Sequence, residues 1–159
     1  MTAREKAIQI FETAVAAVQP NQLIPAQLFI YQNWLHIFDK QFLLSEIPNI
    51  YIIGAGKASA AMAATAEAIL GNFITAGMVV TKYGHVLSLQ KITCIEASHP
   101  VPDEAGIEAT KKTIQLLQQA GKNDIVICLL SGGASSLWID IPDNATLPDL
   151  QATFNILLH

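Results

Sequence analysis

Apolar residues recur along this chain in two alternating rhythms. Ala3, Ala7, Ile10, Phe11, Ala14, Val15 and Val18 follow helical spacing. Thr2 and Glu5 in front of them form a capping-box pattern, and Pro20 stops the run. Leu28, Tyr31, Leu35 and Phe38 predict a second helix between Pro25 and Phe42, making residues 1–45 a helical lead-in. From residue 48 the pattern changes. Ile50-Tyr51-Ile52-Ile53 reads as a buried strand, and Ala58, Met62, Ala66 and Ile69 as the next helix, ending at Gly71. Further strands are expected at 78–81, 92–96 and 125–130. A helix capped by Asp103 and stopped by Gly121 separates the last two. Ile125–Leu130 is apolar throughout, as in a strand with both faces covered. A final helix is expected from Thr146 and Pro148 to His159.

Alternating strands and helices predict an α/β fold. The expected architecture is an open, mostly parallel Rossmann-like sheet with helices on both faces. The chain has 159 residues, enough for one domain; 52% are hydrophobic and only 14% charged. This low charge suggests an apolar surface meant for a second domain or a homo-oligomer partner. The apolar helical ending, Phe154 to His159, suggests a truncated domain. A net charge of −4 without a basic stripe argues against nucleic acid. No apolar run is long enough for a membrane span. Cys94 and Cys128 read as small buried core residues, consistent with a cytoplasmic setting.

Two strands end in glycine turns, Gly54-Ala55-Gly56-Lys57 and Ser131-Gly132-Gly133-Ala134-Ser135-Ser136. Glycine admits positive φ and lets an anion approach the main chain. Backbone N–H groups at the following helix favour negative charge. Lys57 adds a cation, and Ser131, Ser135 and Ser136 add hydroxyls, so phosphate or carboxylate is the natural ligand. Plain chain reversal is the alternative for either turn. Three other motifs fit poorly. A Walker loop would need glycine at Tyr51 and Ser or Thr at Ala58. A dinucleotide fingerprint would need glycine at Ser59 and an acid about 20 residues on, but no Asp or Glu lies between Glu67 and Glu96. A nucleophile elbow would need glycine at Leu137. The loop 96–106 carries His99, which could titrate near neutrality, and Lys82 ends the second strand of the sheet.

Four segments in order, Gly-Ala-Gly-Lys-Ala-Ser at 54–59, Thr-Lys-Tyr-Gly-His at 81–85, Glu-Ala-Ser-His-Pro-Val-Pro-Asp at 96–103 and Leu-Ser-Gly-Gly-Ala-Ser-Ser-Leu at 130–137, resemble the N-terminal domain of the type II glycerate kinases. Members are also named hydroxypyruvate reductases of tartrate degradation. The resemblance implies ATP-dependent phosphorylation of D-glycerate, with Mg²⁺, in a cleft between two α/β domains. The second domain is absent from this chain. By position, Lys57 resembles the catalytic lysine, and Gly54, Gly56, Ser131, Gly132, Gly133, Ala134 and Ser135 the nucleotide phosphate cradle. Lys82 and His99 carry over as cleft-lining residues, the metal ligands have no assigned place, and Ser136 stands where the family often has alanine. An NAD(P)-dependent hydroxypyruvate reductase and a non-catalytic anion-binding or assembly fragment are the competing expectations.

Overall fold

A computed structural model describes residues 1–158. The chain opens with α1 (Ala3–Ala17), capped by a Thr2–Glu5 capping box, and the short α2 (Pro20–Leu23). Every residue of α1 is exposed, so this helix stands off the core.

The helix expected between residues 25 and 42 is instead a three-stranded antiparallel sheet. It comprises β1 (Leu28–Tyr31), β2 (Trp34–Ile37) and β3 (Lys40–Leu43). Two-residue links, Gln32-Asn33 and Phe38-Asp39, join the strands, with φ of 55° at Gln32 and 53° at Phe38. Four-residue strands plus two-residue turns bring apolar positions back at intervals of three and four, which imitates a helix. The real period is two. Leu28 and Ile30, Leu35 and Ile37, and Phe42 share one face, and that face packs on the main core. The residues are aromatic and β-branched, and turn formers sit at the links.

The main sheet follows the sequence reading. It is built from β4 (Ile50–Ala55), β5 (Ile74–Lys82), β6 (Ile92–Ala97) and β7 (Ile125–Leu130), all parallel, in spatial order β6-β5-β4-β7. On one face α3 (Ser59–Leu70) and the small sheet close a core of Ile50, Ile52, Ala63, Ala66, Leu70, Val79 and Leu129. On the other face α4 (Glu104–Leu117) and the single-turn α5 (Ala134–Leu137) close a second core around Ala55, Val80, Ala97, Ala109 and Leu137. Burial on both sides explains why β4 is buried at all six positions.

β7 departs from expectation. It lies at the edge of the sheet, and only its Ile125, Ile127 and Leu129 face packs on the core. Val126, Cys128 and Leu130 are exposed. Cys128 is therefore a surface residue rather than a core one, whereas Cys94 is half-buried against the first core. The final helix, α6 (Leu147–Leu157), has a Thr146–Asp149 capping box and buries none of its residues. Gln151 Nε2 donates to the carbonyl of Pro102 at 2.8 Å and ties α6 to the loop before α4. The expected extension to His159 lies outside the described residues.

Candidate active site

The chain crosses from β4 through α3 to β5 on one side, and β7 arrives on the other. Strand order thus reverses between β4 and β7, and open α/β sheets bind ligands at the carboxyl ends of strands at such a point. Ala55 pairs with Leu130 in register, so both glycine turns leave the sheet side by side. They are bonded to each other. Ser131 N donates to Ala55 O at 3.1 Å, Lys57 N to Gly132 O at 3.1 Å, and Ala58 N to Ser131 Oγ at 3.0 Å.

Two glycines are required by this contact. Gly56 has φ +127°, and a Cβ there would overlap Ser131 Oγ and stand 2.6 Å from Ser131 O. Gly133 has φ +90°, and a Cβ there would overlap the His99 ring and lie 3.4 Å from Lys57 Cε. His99, Lys57 and Gly133 therefore meet, although they leave three different strands. Lys82 completes the group. The His99 imidazole is held below its ordinary 6.5, first by burial and then by the positive charges of Lys57 and Lys82. A neutral imidazole beside two ammonium groups can offer one N–H or one lone pair without adding to the local charge.

The unfolded imidazole titrates near 6.5 and the folded one lower, so between these values the unfolded chain binds more protons. Stability should fall as pH drops from about 6.5 toward the folded value. Denaturant unfolding at stepped pH should show this loss in the wild type and not in His99→Gln.

Some expected site residues lie elsewhere. Gly54 is buried inside β4, where a Cβ would stand 2.5 Å from Leu129 O. Its glycine serves strand packing and does not reach the site. Ala134 packs into the second core, and Ser136, expected to offer its hydroxyl to a ligand, is buried and donates it to Gly133 O at 3.0 Å. Ser131 acts as a latch between the turns, although its hydroxyl proton remains free to donate. Gly132, Ser135 and Lys57 are exposed and form an open wall. His85 is exposed, and its backbone N–H donates to Glu96 Oε1 at 3.1 Å.

Thr81 opens the 81–85 segment, but nothing in that pattern marks its hydroxyl as buried. It is fully buried at the end of β5, and its hydroxyl has no partner among the described residues. Also unforeseen was Glu96, whose Oε1 accepts from the N–H groups of Gly84, His85 and Val86. Its only signal was a carboxylate near the end of an otherwise uncharged strand.

No group of three or more His, Cys, Asp or Glu side chains among the described residues is placed to hold a metal ion. No helix among them is long and apolar enough to cross a membrane.

Residues 6–159 match a family model described as a domain of unknown function, DUF4147. A glycerate 2-kinase from Pyrococcus horikoshii is 34% identical over 99% of this chain and 35% of its own length. A protein from Agrobacterium vitis carrying a provisional hydroxypyruvate reductase name is 38% identical over 99% of this chain and 33% of its own length. The crystal structure of a P. horikoshii protein superposes with a TM-score of 0.84, at 34% identity, covering 99% of this chain and 35% of that one. That of a Thermotoga maritima glycerate kinase gives 0.76 at 33% identity, over 96% and 34%. This chain thus spans about a third of the length of the relatives it matches. In sequence and in fold, the chain belongs to the DUF4147 family, and its structural neighbours include a glycerate kinase.

Proposed function

We propose that this chain supplies the phosphate-binding wall of a kinase that phosphorylates D-glycerate with ATP. The observation carrying this reading is the convergence of Lys57, Lys82, His99 and two interlocked glycine turns where strand order reverses. Positive charge, close backbone approach and exposed donors suit a polyphosphate. The glycine cradle fits the phosphates of a nucleotide, which when bound would supply the phosphoryl group. Lys57 would stabilise charge that shifts during transfer, the exposed Gly132 and Ser135 would hold phosphate oxygens, and Lys82 and His99 would line the substrate side. The described residues offer no metal cage, so Mg²⁺, if used, would rely on phosphate oxygens and on groups outside them.

The reductase name borne by some relatives has weaker support here. A ribose-holding acid would be expected near the end of β5, and Lys82 stands there. The open wall, the bare edge of β7 and the exposed α6 favour a further domain or a second copy as the opposite wall. A cytoplasmic location belongs to the same reading.

With only one wall, the 159-residue chain should bind ATP weakly and shift the backbone amide signals of Lys57, Gly132 and Ser135. It should transfer phosphoryl to D-glycerate at least about 100-fold more slowly than the 1–100 s⁻¹ usual for kinases. Coupled ADP-release assays and amide spectra check both points. Oxidation of NADH or NADPH with hydroxypyruvate by an enzyme containing this chain would overturn the reading.

A further inference from the structure

Asp103 caps α4, accepting from Gly106 N at 3.2 Å through Oδ1. A cap requires only that bond, and serine or asparagine would supply it equally well. Asp103 does more. Oδ1 also accepts from Ser98 N at 3.2 Å, and Oδ2 accepts from the Tyr83 hydroxyl at 2.7 Å, twenty residues away. The Tyr83 phenol is correspondingly harder to ionise, mainly because it donates to Asp103.

The residues tied in this way are neighbours of the site. Tyr83 directly follows Lys82, and Ser98 directly precedes His99. Tyr83 N also donates to Ala97 O at 3.3 Å, extending the β5–β6 ladder by one bond. From the other side, Glu96 Oε1 gathers Gly84 N at 2.6 Å, His85 N at 3.1 Å and Val86 N at 3.3 Å. Both loops that carry the site groups are thus fixed by carboxylates that do not touch the site. Tyr83 is 53% exposed, so burial does not explain its orientation.

We propose that Asp103 is a positioning residue, which through Tyr83 and Ser98 holds Lys82 and His99 in place against Lys57 and Gly133. The importance of that placement for phosphate rests on the functional reading above, but the placement itself does not. His99 faces Lys57 from the β4–α3 turn and Lys82 from β5, while the β7–α5 loop presents the uncharged Gly133. Loosening the clamp frees the imidazole from burial and from both cations.

The test uses this chain with three variants. Tyr83→Phe removes only the cross-loop bond. Asp103→Ser keeps the cap and loses the bridge. Asp103→Asn can keep all three contacts, its amide donating to the tyrosine oxygen. The readouts are the His99 titration midpoint from imidazole NMR signals, affinity for inorganic pyrophosphate by calorimetry, and the thermal midpoint. In Tyr83→Phe and Asp103→Ser the His99 midpoint should rise toward 6.5 and pyrophosphate affinity should drop about 10-fold, the scale of one hydrogen bond to a charged group. In Tyr83→Phe the thermal midpoint should barely move, and Asp103→Asn should keep most of the wild-type His99 midpoint and pyrophosphate affinity. A purely structural cap would lower the thermal midpoint of Asp103→Ser and leave His99 unchanged in Tyr83→Phe, which overturns the proposal. If wild-type chain does not bind pyrophosphate, the phosphate reading fails, and the His99 midpoints still decide the positioning role.

Discussion

Replacing Lys57 by alanine in the enzyme that contains this chain should lower kcat by about 10²–10³, the usual cost of removing one preorganised electrostatic donor. Binding should weaken far less. The two glycine turns remain bonded to each other through Ser131 N, Lys57 N and Ala58 N, none of which depends on the lysine side chain. The turns therefore keep their shape, the N–H groups of Gly132, Gly133 and Ser135, which are not engaged between the turns, stay available to ground-state phosphate, and the lost ammonium matters most as charge moves during transfer. Lys57→Arg should rescue poorly. A planar, delocalised guanidinium does not place a compact point charge where the ammonium sits beside Gly133 and His99. Steady-state kinetics, with folding checked by circular dichroism, decide the matter. A folded alanine variant with near-normal kcat would falsify the catalytic role and leave Lys57 as a solvated residue on the turn before α3.

Gly56→Ala should be the most damaging small substitution at the site. The residue would be forced to hold φ +127°, at a cost of about 1–3 kcal/mol. Its methyl would also press on Ser131, whose oxygen would lie 2.6 Å and carbonyl carbon 2.8 Å away, adding about 1–3 kcal/mol of overpacking. The turns cannot simply part, because the Ser131–Ala55 and Lys57–Gly132 backbone bonds hold them together. The sum, roughly 2–6 kcal/mol, approaches the whole stability of many domains. Urea unfolding should show the midpoint falling by more than about 1 M at ordinary slopes. Gly132→Ala is the control, since a Cβ there meets nothing within 4 Å. Equal midpoints for the two variants would mean that the turns do not touch as described.

The main sheet was legible because its strands are apolar runs, two of them followed by glycine turns, and the helices α4 and α6 open on Asp103 and Thr146 caps. β1–β3 were not legible, because four-residue strands and two-residue turns alias onto helical spacing and no glycine marks the links. The site was legible as chemistry and only partly as geometry. Lys57, Gly56 and Gly133 could be picked out one turn at a time, yet no local pattern says that His99 will lie against Gly133. That meeting depends on strand order. Gly54 shows the converse. A glycine that fits a phosphate-loop spacing turned out to serve the close approach of two strands. Asp103 was read for its helix cap, which accounts for only one of its three hydrogen bonds. The partners of the other two, Tyr83 and Ser98, become evident only when the loops are placed in space.

The bare edge of β7 bears on how the isolated chain behaves in a test tube. Ile125-Val126-Ile127-Cys128-Leu129-Leu130 has no charge, proline or glycine, and among the described residues no strand neighbours its outer edge. Natural sheets usually guard such edges, because an unguarded apolar strand is a template for a second chain. Cross-β aggregation from this strand is therefore the chief hazard in handling the chain at high concentration, and its solubility depends on whatever covers β7.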